Sequence, residues 1–290
     1  MKHTAKRSEQ VIHALFFLLG MVAVACVILI TVYLVFSGLP AILQIGPGPF
    51  LTGKVWASTA AQPQYGILPF ILSSLAGTAG AILLGLPVGF LTALYLAKLA
   101  PPRIRALLGQ AVSVLAGIPS VVYGLVGMMV LVPAVRSLFG VPDGAGLLSA
   151  IIVLAIMILP SIVKMTVTAL NAVPQEYEAA SLALGATAEE TWVRVTIPAA
   201  RSGIAAAVVL GVGRAIGESM AVMMVAGNAP NLPDSLFQSV RFLTTAVASE
   251  MSYSSGLQQQ ALFSIALVLF LFIMLLNALL NFILKGENKL

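Results

Sequence analysis

Residues 11–36 read VIHALFFLLGMVAVACVILITVYLVF, a run without a single Asp, Glu, Lys or Arg. The charge-free interval around it is wider still, from Glu9 to Lys54. A helix needs about 20 predominantly apolar residues to cross the hydrocarbon core of a bilayer. Two further intervals have the same character, Lys54 to Lys98 and Met251 to Leu284. The whole chain is 60% apolar and 9% charged, where soluble domains carry roughly a quarter charged residues. A soluble fold of 290 residues could not cover its surface with so few charges. The runs are continuously apolar and lack the alternation of barrel strands, so they read as helices. Six are expected: 11–36, 67–97, 106–135, 147–170, 203–226 and 261–284. The fold class is therefore all-α, a polytopic membrane protein with six transmembrane helices. The first run is too long for the apolar region of a signal peptide, and no convincing small-residue cleavage site follows it; it reads as a retained helix.

Basic residues in short loops set orientation. With the N-terminus inside, Lys2, Lys6, Arg7, Lys98, Arg103, Arg105, Arg194, Arg201, Lys285 and Lys289 fall on the inner side, and only Lys54, Arg136 and Arg241 on the outer. This asymmetry puts both termini in the cytoplasm. The net charge of +5 then reflects topology and contact with anionic membrane lipid, and nucleic acid is not required as a partner. Cys26 is the sole cysteine, so no intrachain disulfide can form. Gly48-Pro-Phe-Leu-Thr-Gly53-Lys54 imitates the start of a phosphate-binding loop, but Val55 stands where a Ser or Thr must hold magnesium, and the segment faces outward. His3 and His13 lie near the N-terminus, apart from any cluster of carboxylates. No catalytic residue, metal site or cofactor is expected.

The segment 171–201 holds Glu176, Glu178, Glu189, Glu190, Arg194 and Arg201, six of the chain's 25 charged residues. Pro174 is placed to start a helix and Gly185 to end it. Thr187-Ala-Glu-Glu190 has the pattern of a capping box for a second short helix. Pro198 precedes the return to the membrane. A simple solvated connector would not need two capped helices offering Tyr177, Ala180, Leu184 and Trp192, so a surface for a partner protein is the better reading.

Glu178-Ala179-Ala180, then Gly185, then Ile197-Pro198 resembles the EAA loop of ABC importer permeases. Gly117-Ile-Pro-Ser-Val-Val-Tyr-Gly124 and Gly211-Val-Gly-Arg-Ala-Ile-Gly-Glu-Ser-Met-Ala221, with Tyr65-Gly-Ile-Leu-Pro-Phe70, resemble stretches of the C-type permease of the phosphate-specific transport (Pst) system. The likeness runs over about 65–228, with Ser219 where that family is expected to carry Thr. It implies a type I ABC importer permease fold, a five-helix core with an extra N-terminal helix. Residues 1–66 would form that helix and an outer loop, 67–284 the core with its coupling loop 171–201, and 285–290 a cytoplasmic tail. It also implies an inner-membrane subunit importing inorganic phosphate with a paralogous permease, two ABC ATPases and an extracytoplasmic phosphate-binding protein. Glu178, Ala179, Ala180 and Gly185 would couple to an ATPase, and this chain would hydrolyse no ATP itself.

The charges within the spans agree. Arg214 and Glu218 are the only ionisable residues between Arg201 and Asp234. Four apart, they would share one helix face, near mid-membrane. Each costs about 2.5–3.5 kcal/mol against lipid on insertion scales, so both must face protein or water, and such residues mark pathways. The alternative is a structural pair that neutralises itself. Arginine offers a planar fork to two phosphate oxygens, and Glu218 could compete for it to release the anion. Pro119 frees a carbonyl and Ser120 offers a hydroxyl, so both are candidate phosphate contacts. Lys164 reads as an interfacial residue that snorkels. Gly85-Leu-Pro87-Val-Gly89 reads as a bend in the second helix and Gly213 with Gly217 as a small-xxx-small pair; such motifs read as packing features first and gating hinges second. Another oxyanion or small solute remains open as cargo, as does a membrane scaffold or sensor of phosphate status.

Overall fold

The structure, a computed structural model, describes the backbone of residues 2–287 and the side chains of residues 12–278. The side chains of Lys2, His3, Lys6, Arg7, Lys285 and Lys289, used above for orientation or weighed as ligands, lie outside the described residues. In chain order, α1 (Lys2–Ile45) leads through a short α2 (Pro47–Thr52) and a hairpin of β1 (Trp56–Ala57) and β2 (Gln64–Tyr65) into α3 (Leu68–Leu94). A π-helical stretch, Tyr95–Leu99, ends α3. Then come α4 (Pro102–Gly117), α5 (Ser120–Val126), a second π-helical stretch Gly127–Leu131, α6 (Val132–Phe139) and α7 (Leu147–Asn171). The loop segment comprises α8 (Gln175–Ala183), α9 (Ala188–Thr191), a third π-helical stretch Trp192–Thr196, and α10 (Ile197–Ala199). The remainder is α11 (Arg201–Gly217), α12 (Met220–Val225), α13 (Leu243–Glu250) and α14 (Gly256–Glu287).

Five described helical runs are long and apolar enough to cross a membrane, and a sixth results if the bent pair 188–199 and 201–217 is one span. The centre is α7: 67% of its most apolar stretch is buried within the chain, against 28% for α3 and none for α1. Helices α3 and α11 both pack on α7, and α1 packs on α14. The α3–α7 approach is set by glycine. A Cβ at Gly85 would lie 2.9 Å from Ile158 Cδ1, and one at Gly89 would lie 2.9 Å from Ile162 Cγ2. The packing reading of these glycines holds. Gly213 and Gly217 behave otherwise: nothing in the described chain comes within 4 Å of a Cβ built on either.

Three expectations need correction. The first helix does not stop at Phe36 but continues through Pro40 to Ile45, held where Gly38 lets the backbone of Phe263 and Ser264 approach and Ser264 Oγ donates to the Gly38 carbonyl at 2.5 Å. The expected helix 106–135 is two helices, because Pro119 takes an extended ψ of 143° and α4 ends at Gly117. The expected helix 203–226 is also two, parted at Glu218, whose φ and ψ of −73° and 131° are extended.

Near the β1–β2 hairpin a carboxylate ties distant segments together. Glu250 pairs with Arg241. It also accepts from Trp56 Nε1 at 3.2 Å, from Ser58 Oγ at 3.4 Å and from Gln258 Nε2 at 3.2 Å. Trp56 stacks edge-on to Tyr65, and the Arg241 guanidinium lies 5.8 Å from the Phe70 ring centre. Hairpin, α3, α13 and α14 thus meet at one half-buried acid. Removing one partner of such a pair leaves the other charge uncompensated. Glu250→Ala is expected to cost roughly 2–3 kcal/mol, read as earlier thermal unfolding in detergent, with Glu250→Gln milder because it keeps the neutral hydrogen bonds. An unchanged transition for Glu250→Ala would show that the clamp carries no stability.

Candidate functional site

The sequence-derived candidates fall into two groups, one at the helix breaks and one in the α8–α10 loop. At the breaks, α5 lies against α12: a Cβ at Gly124 would sit 2.8 Å from Ala221 Cα. Pro119 is exposed at the N-cap of α5, and Ser120 is the first residue of that helix. Tyr123, one turn on, sends its hydroxyl back across the break to the Leu115 carbonyl at 2.7 Å. Its ring is within electrostatic reach of Arg214. Among the described residues Arg214 bonds to neither Pro119 nor Ser120.

Arg214 and Glu218 do not form the pair expected of them. No ion pair joins them among the described residues, because the chain leaves the helix at Glu218 and a four-residue spacing no longer shares a face. Arg214 Nη1 instead donates to Ser161 Oγ on α7 at 3.2 Å. Glu218 turns to α12 and accepts from the Ala221 N–H at 3.1 Å, while its carbonyl accepts from Thr244 Oγ1 at 2.8 Å. Competition between Glu218 and phosphate for Arg214 thus has no geometric basis in this conformation. The arginine is half-buried, keeps most of its five donors unspent, and has no carboxylate partner among the described residues. Such a group can take an oxyanion through two parallel hydrogen bonds. Ser161 is absent from the sequence reading. The signal for it was a hydroxyl beside Pro160 in an otherwise apolar span.

The loop group is built as its sequence indicates. Pro174 is the N-cap of α8, and the helix ends in a Schellman arrangement. Gly185 N–H donates to Leu182 O at 3.0 Å, and Ala186 N–H donates to Ser181 O at 3.3 Å. Gly185 has φ +92°, where any side chain would be strained. The Thr187 and Glu190 capping box has both of its bonds, at 3.2 and 3.0 Å. No residue of α8 is buried. Ala179 and Ala180 are exposed, as is Leu184 at 90%, so an apolar surface stands ready for a partner.

Glu178 departs from this pattern. Its carboxylate pairs with Lys98, and its Oε1 also accepts from Thr196 Oγ1 at 3.0 Å. The side chains of Lys98 and Glu178 are 13% and 23% exposed, so the acid is directed into the chain while its neighbours face out. Lys98 and Thr196 lie on separate π-helical stretches, whose extra residue per turn re-aims side chains and recurs at functional sites. Lys98 had been read only as a topology charge.

The class follows from this arrangement and from comparison: a polytopic permease whose spans are tied to an exposed helical loop. Residues 85–286 match the family described as binding-protein-dependent transport system inner membrane component, and the chain belongs to that family. It is 39% identical over 268 residues to the probable ABC transporter permease protein YqgH of Bacillus subtilis, covering 90% of this chain and 87% of that one. It is 35% identical over 276 residues to the phosphate transport system permease protein PstC of Haemophilus influenzae, covering 89% and 86%. The Mesorhizobium japonicum PstC is 35% identical over 255 residues, covering 81% and 77%. The resemblance to C-type permeases drawn from the motifs is thus borne out. Among solved structures, the inward-facing MetNI methionine ABC transporter superposes with a TM-score of 0.57 at 19% identity, over 76% of this chain and 94% of that one. An amino acid ABC transporter gives 0.56 at 19% identity, over 76% and 92%. The fold is that of a type I ABC importer permease, and the protein is a membrane transport subunit.

The Lys98–Glu178 pair generates a test. Lys98→Met leaves a half-buried carboxylate without its cation. It is expected to loosen the loop by on the order of 1–2 kcal/mol, seen as faster proteolysis between α8 and α9. The double change Lys98→Met with Glu178→Met should recover most of that protection. Equal protection in the single variant and the parent protein would remove the anchor from the account.

Proposed function

We propose that this chain is the C-type permease subunit of an ATP-driven importer of inorganic phosphate. The observation that carries the reading is Arg214, a half-buried intramembrane cation held by Ser161 with no carboxylate partner among the described residues, beside two broken spans. Intramembrane cations are expensive and mark pathways, and breaks in spanning helices occur where backbone lines a cavity or protein. The phosphate names of the H. influenzae and M. japonicum relatives support the cargo.

In this reading Arg214 binds phosphate in transit, with Pro119 and Ser120 near it at the start of α5. Glu218 acts as the cap that holds the break open, which replaces the release role first expected of it. Ala179 and Ala180 on α8 face an ATPase, Gly185 fixes the turn that ends this helix, and Glu178 ties the helix to α3. The proposed assembly holds one paralogous permease, two ABC ATPases that carry out the hydrolysis this chain does not, and an extracytoplasmic phosphate-binding protein. The open faces of Gly213 and Gly217 suit close packing against the second permease. Both termini are proposed to be cytoplasmic, on the side of the α8–α10 loop. Residues 1–66 would be an accessory helix with its outer loop, 67–284 the transport core containing the loop 171–201, and 285–290 a tail.

Reconstitution in lipid with its ATPases and binding protein tests the reading. ATP hydrolysis should rise with phosphate-loaded binding protein, and neither sulfate nor empty binding protein should replace it. A response to a different solute would keep the permease and overturn phosphate; failure to assemble with any ATPase would overturn the coupling surface. Arg214→Ala is expected to lower phosphate uptake roughly 30–1000-fold, the loss of a desolvated charge partner, in a complex that still assembles. Uptake near the parent rate would remove Arg214 from the route.

A further inference from the structure

A second cluster of cations lies away from Arg214, at the loop end of the spans. Between α4 and α7 is a cavity of ≈ 330 Å³ whose lining includes Arg105, Ser113, Lys164 and Asn171 over a floor of Leu96 and Val163. No Asp or Glu lines it. We propose that this cavity binds a phosphate group, carried by an anionic lipid headgroup or present as free phosphate.

The donor inventory favours an anion. Arg105 spends one Nη2 hydrogen bond on the Ala100 carbonyl at 3.2 Å, and its remaining N–H groups are free to turn to a ligand. Lys164 has no carboxylate among the described residues, in contrast to Lys98 nearby, which Glu178 neutralises. Ser113 can donate a hydroxyl and Asn171 an amide. Thr168 also lines the cavity, but its hydroxyl proton is committed to the Lys164 carbonyl at 2.9 Å. Two full charges and two neutral donors around one space match the several acceptor oxygens of a phosphate group. A lone snorkelling lysine would need neither Arg105 nor the polar neighbours.

The position fits as well. Lys164 lies seven residues before Asn171, the last residue of α7, so the cavity reaches roughly 10 Å into the span at 1.5 Å per residue. A cavity of that reach opens through the interfacial layer, roughly 5–7 Å deep on each side, where basic pockets between helices take anionic headgroups. The apolar floor suits the glycerol and upper acyl carbons of a lipid, and free phosphate could reach the same donors from the adjoining solution. The site lies on the side of the α8–α10 loop, and its lining residue Leu96 is two positions from Lys98, which holds Glu178. Nothing in its recognition depends on which solute the protein transports.

The test uses the purified complex and the exposed pair Arg105→Gln with Lys164→Gln, which keeps both side-chain stems. Arg103→Gln removes the same kind of charge from α4 at a residue that does not line the cavity, and serves as the control. Retention of phosphatidylglycerol against phosphatidylcholine is read by native mass spectrometry. Binding of radiolabelled inorganic phosphate is read in an Arg214→Ala background, so that the pathway does not contribute. Loss of two cations is expected to weaken the occupied arm roughly 30-fold and to leave the Arg103→Gln protein close to the parent. Loss on the phosphatidylglycerol arm assigns a lipid headgroup, and loss on the phosphate arm assigns free phosphate. No loss on either arm overturns the site. So does an equal loss in Arg103→Gln, because diffuse surface charge would then account for the binding.

Discussion

Inside a bilayer, a broken helix exposes backbone N–H and carbonyl groups that hydrocarbon cannot satisfy. The arrangement of this protein's interior follows from how two such breaks are repaired. At the first, Pro119 supplies no N–H, and the Tyr123 hydroxyl reaches back to the Leu115 carbonyl. At the second, the Glu218 carboxylate takes the Ala221 N–H and Thr244 takes the Glu218 carbonyl. Each repair uses a side chain that would otherwise have no reason to lie at that depth. Glu218 is therefore explained as a structural acceptor: an intramembrane carboxylate in place of a missing turn of helix. Its commitment to the backbone also leaves Arg214 without an acid partner among the described residues.

This constraint also separates what could be read in the sequence from what could not. Hydropathy located α3 and α7 almost to the residue, because a continuous apolar run ended by polar residues has few alternatives. It merged α4 with α5 and α11 with α12, since Gly117-Ile-Pro119 and Gly217-Glu-Ser219 are short breaks inside stretches that are predominantly apolar on either side. The expected Arg214–Glu218 pair failed for that reason alone: a spacing rule for helix faces was applied across a place where the helix stops. The loop succeeded where the spans failed. Proline, glycine and the Thr187–Glu190 box act within a few residues, so local chemistry decides them. Lys98 and Glu178 are 80 residues apart, and Trp56 is 194 residues from the Glu250 carboxylate it donates to. No local pattern announces such partners.

The Lys98–Glu178–Thr196 contact has a mechanical consequence. Helix α8 exposes its apolar residues to one side while a half-buried carboxylate fastens it to the end of α3 on the other. Helix α3 packs along α7 through Gly85 and Gly89, and α7 carries Ser161, the hydrogen-bond partner of Arg214. In the proposed assembly, a displacement of α8 by a partner would pass along these contacts toward the helix breaks. Packed interfaces respond to such displacement by switching between discrete arrangements more readily than by stretching. The return path through α9 and α10 bends by 68° into α11, so the same displacement would also act on Arg214 from its own helix. The two routes meet at the arginine from both neighbouring spans.

The chain by itself is an incomplete solution to its solvent. Helix α4 buries no residue, Gly213 and Gly217 meet nothing within 4 Å, and the α5–α6 segment borders an apolar cavity of ≈ 410 Å³ lined by Val122, Tyr123, Val126 and Val130 among others. Lipid tails could cover the apolar part at little cost. They could not cover Arg214, which stands on the same helix as the open glycines and is half-exposed. A cation at that depth demands water or protein, and closely packed helices with small residues at the contact are the means by which membrane proteins enclose such a path. The surface left open here is therefore the one that a second permease would close around Arg214 in the proposed assembly.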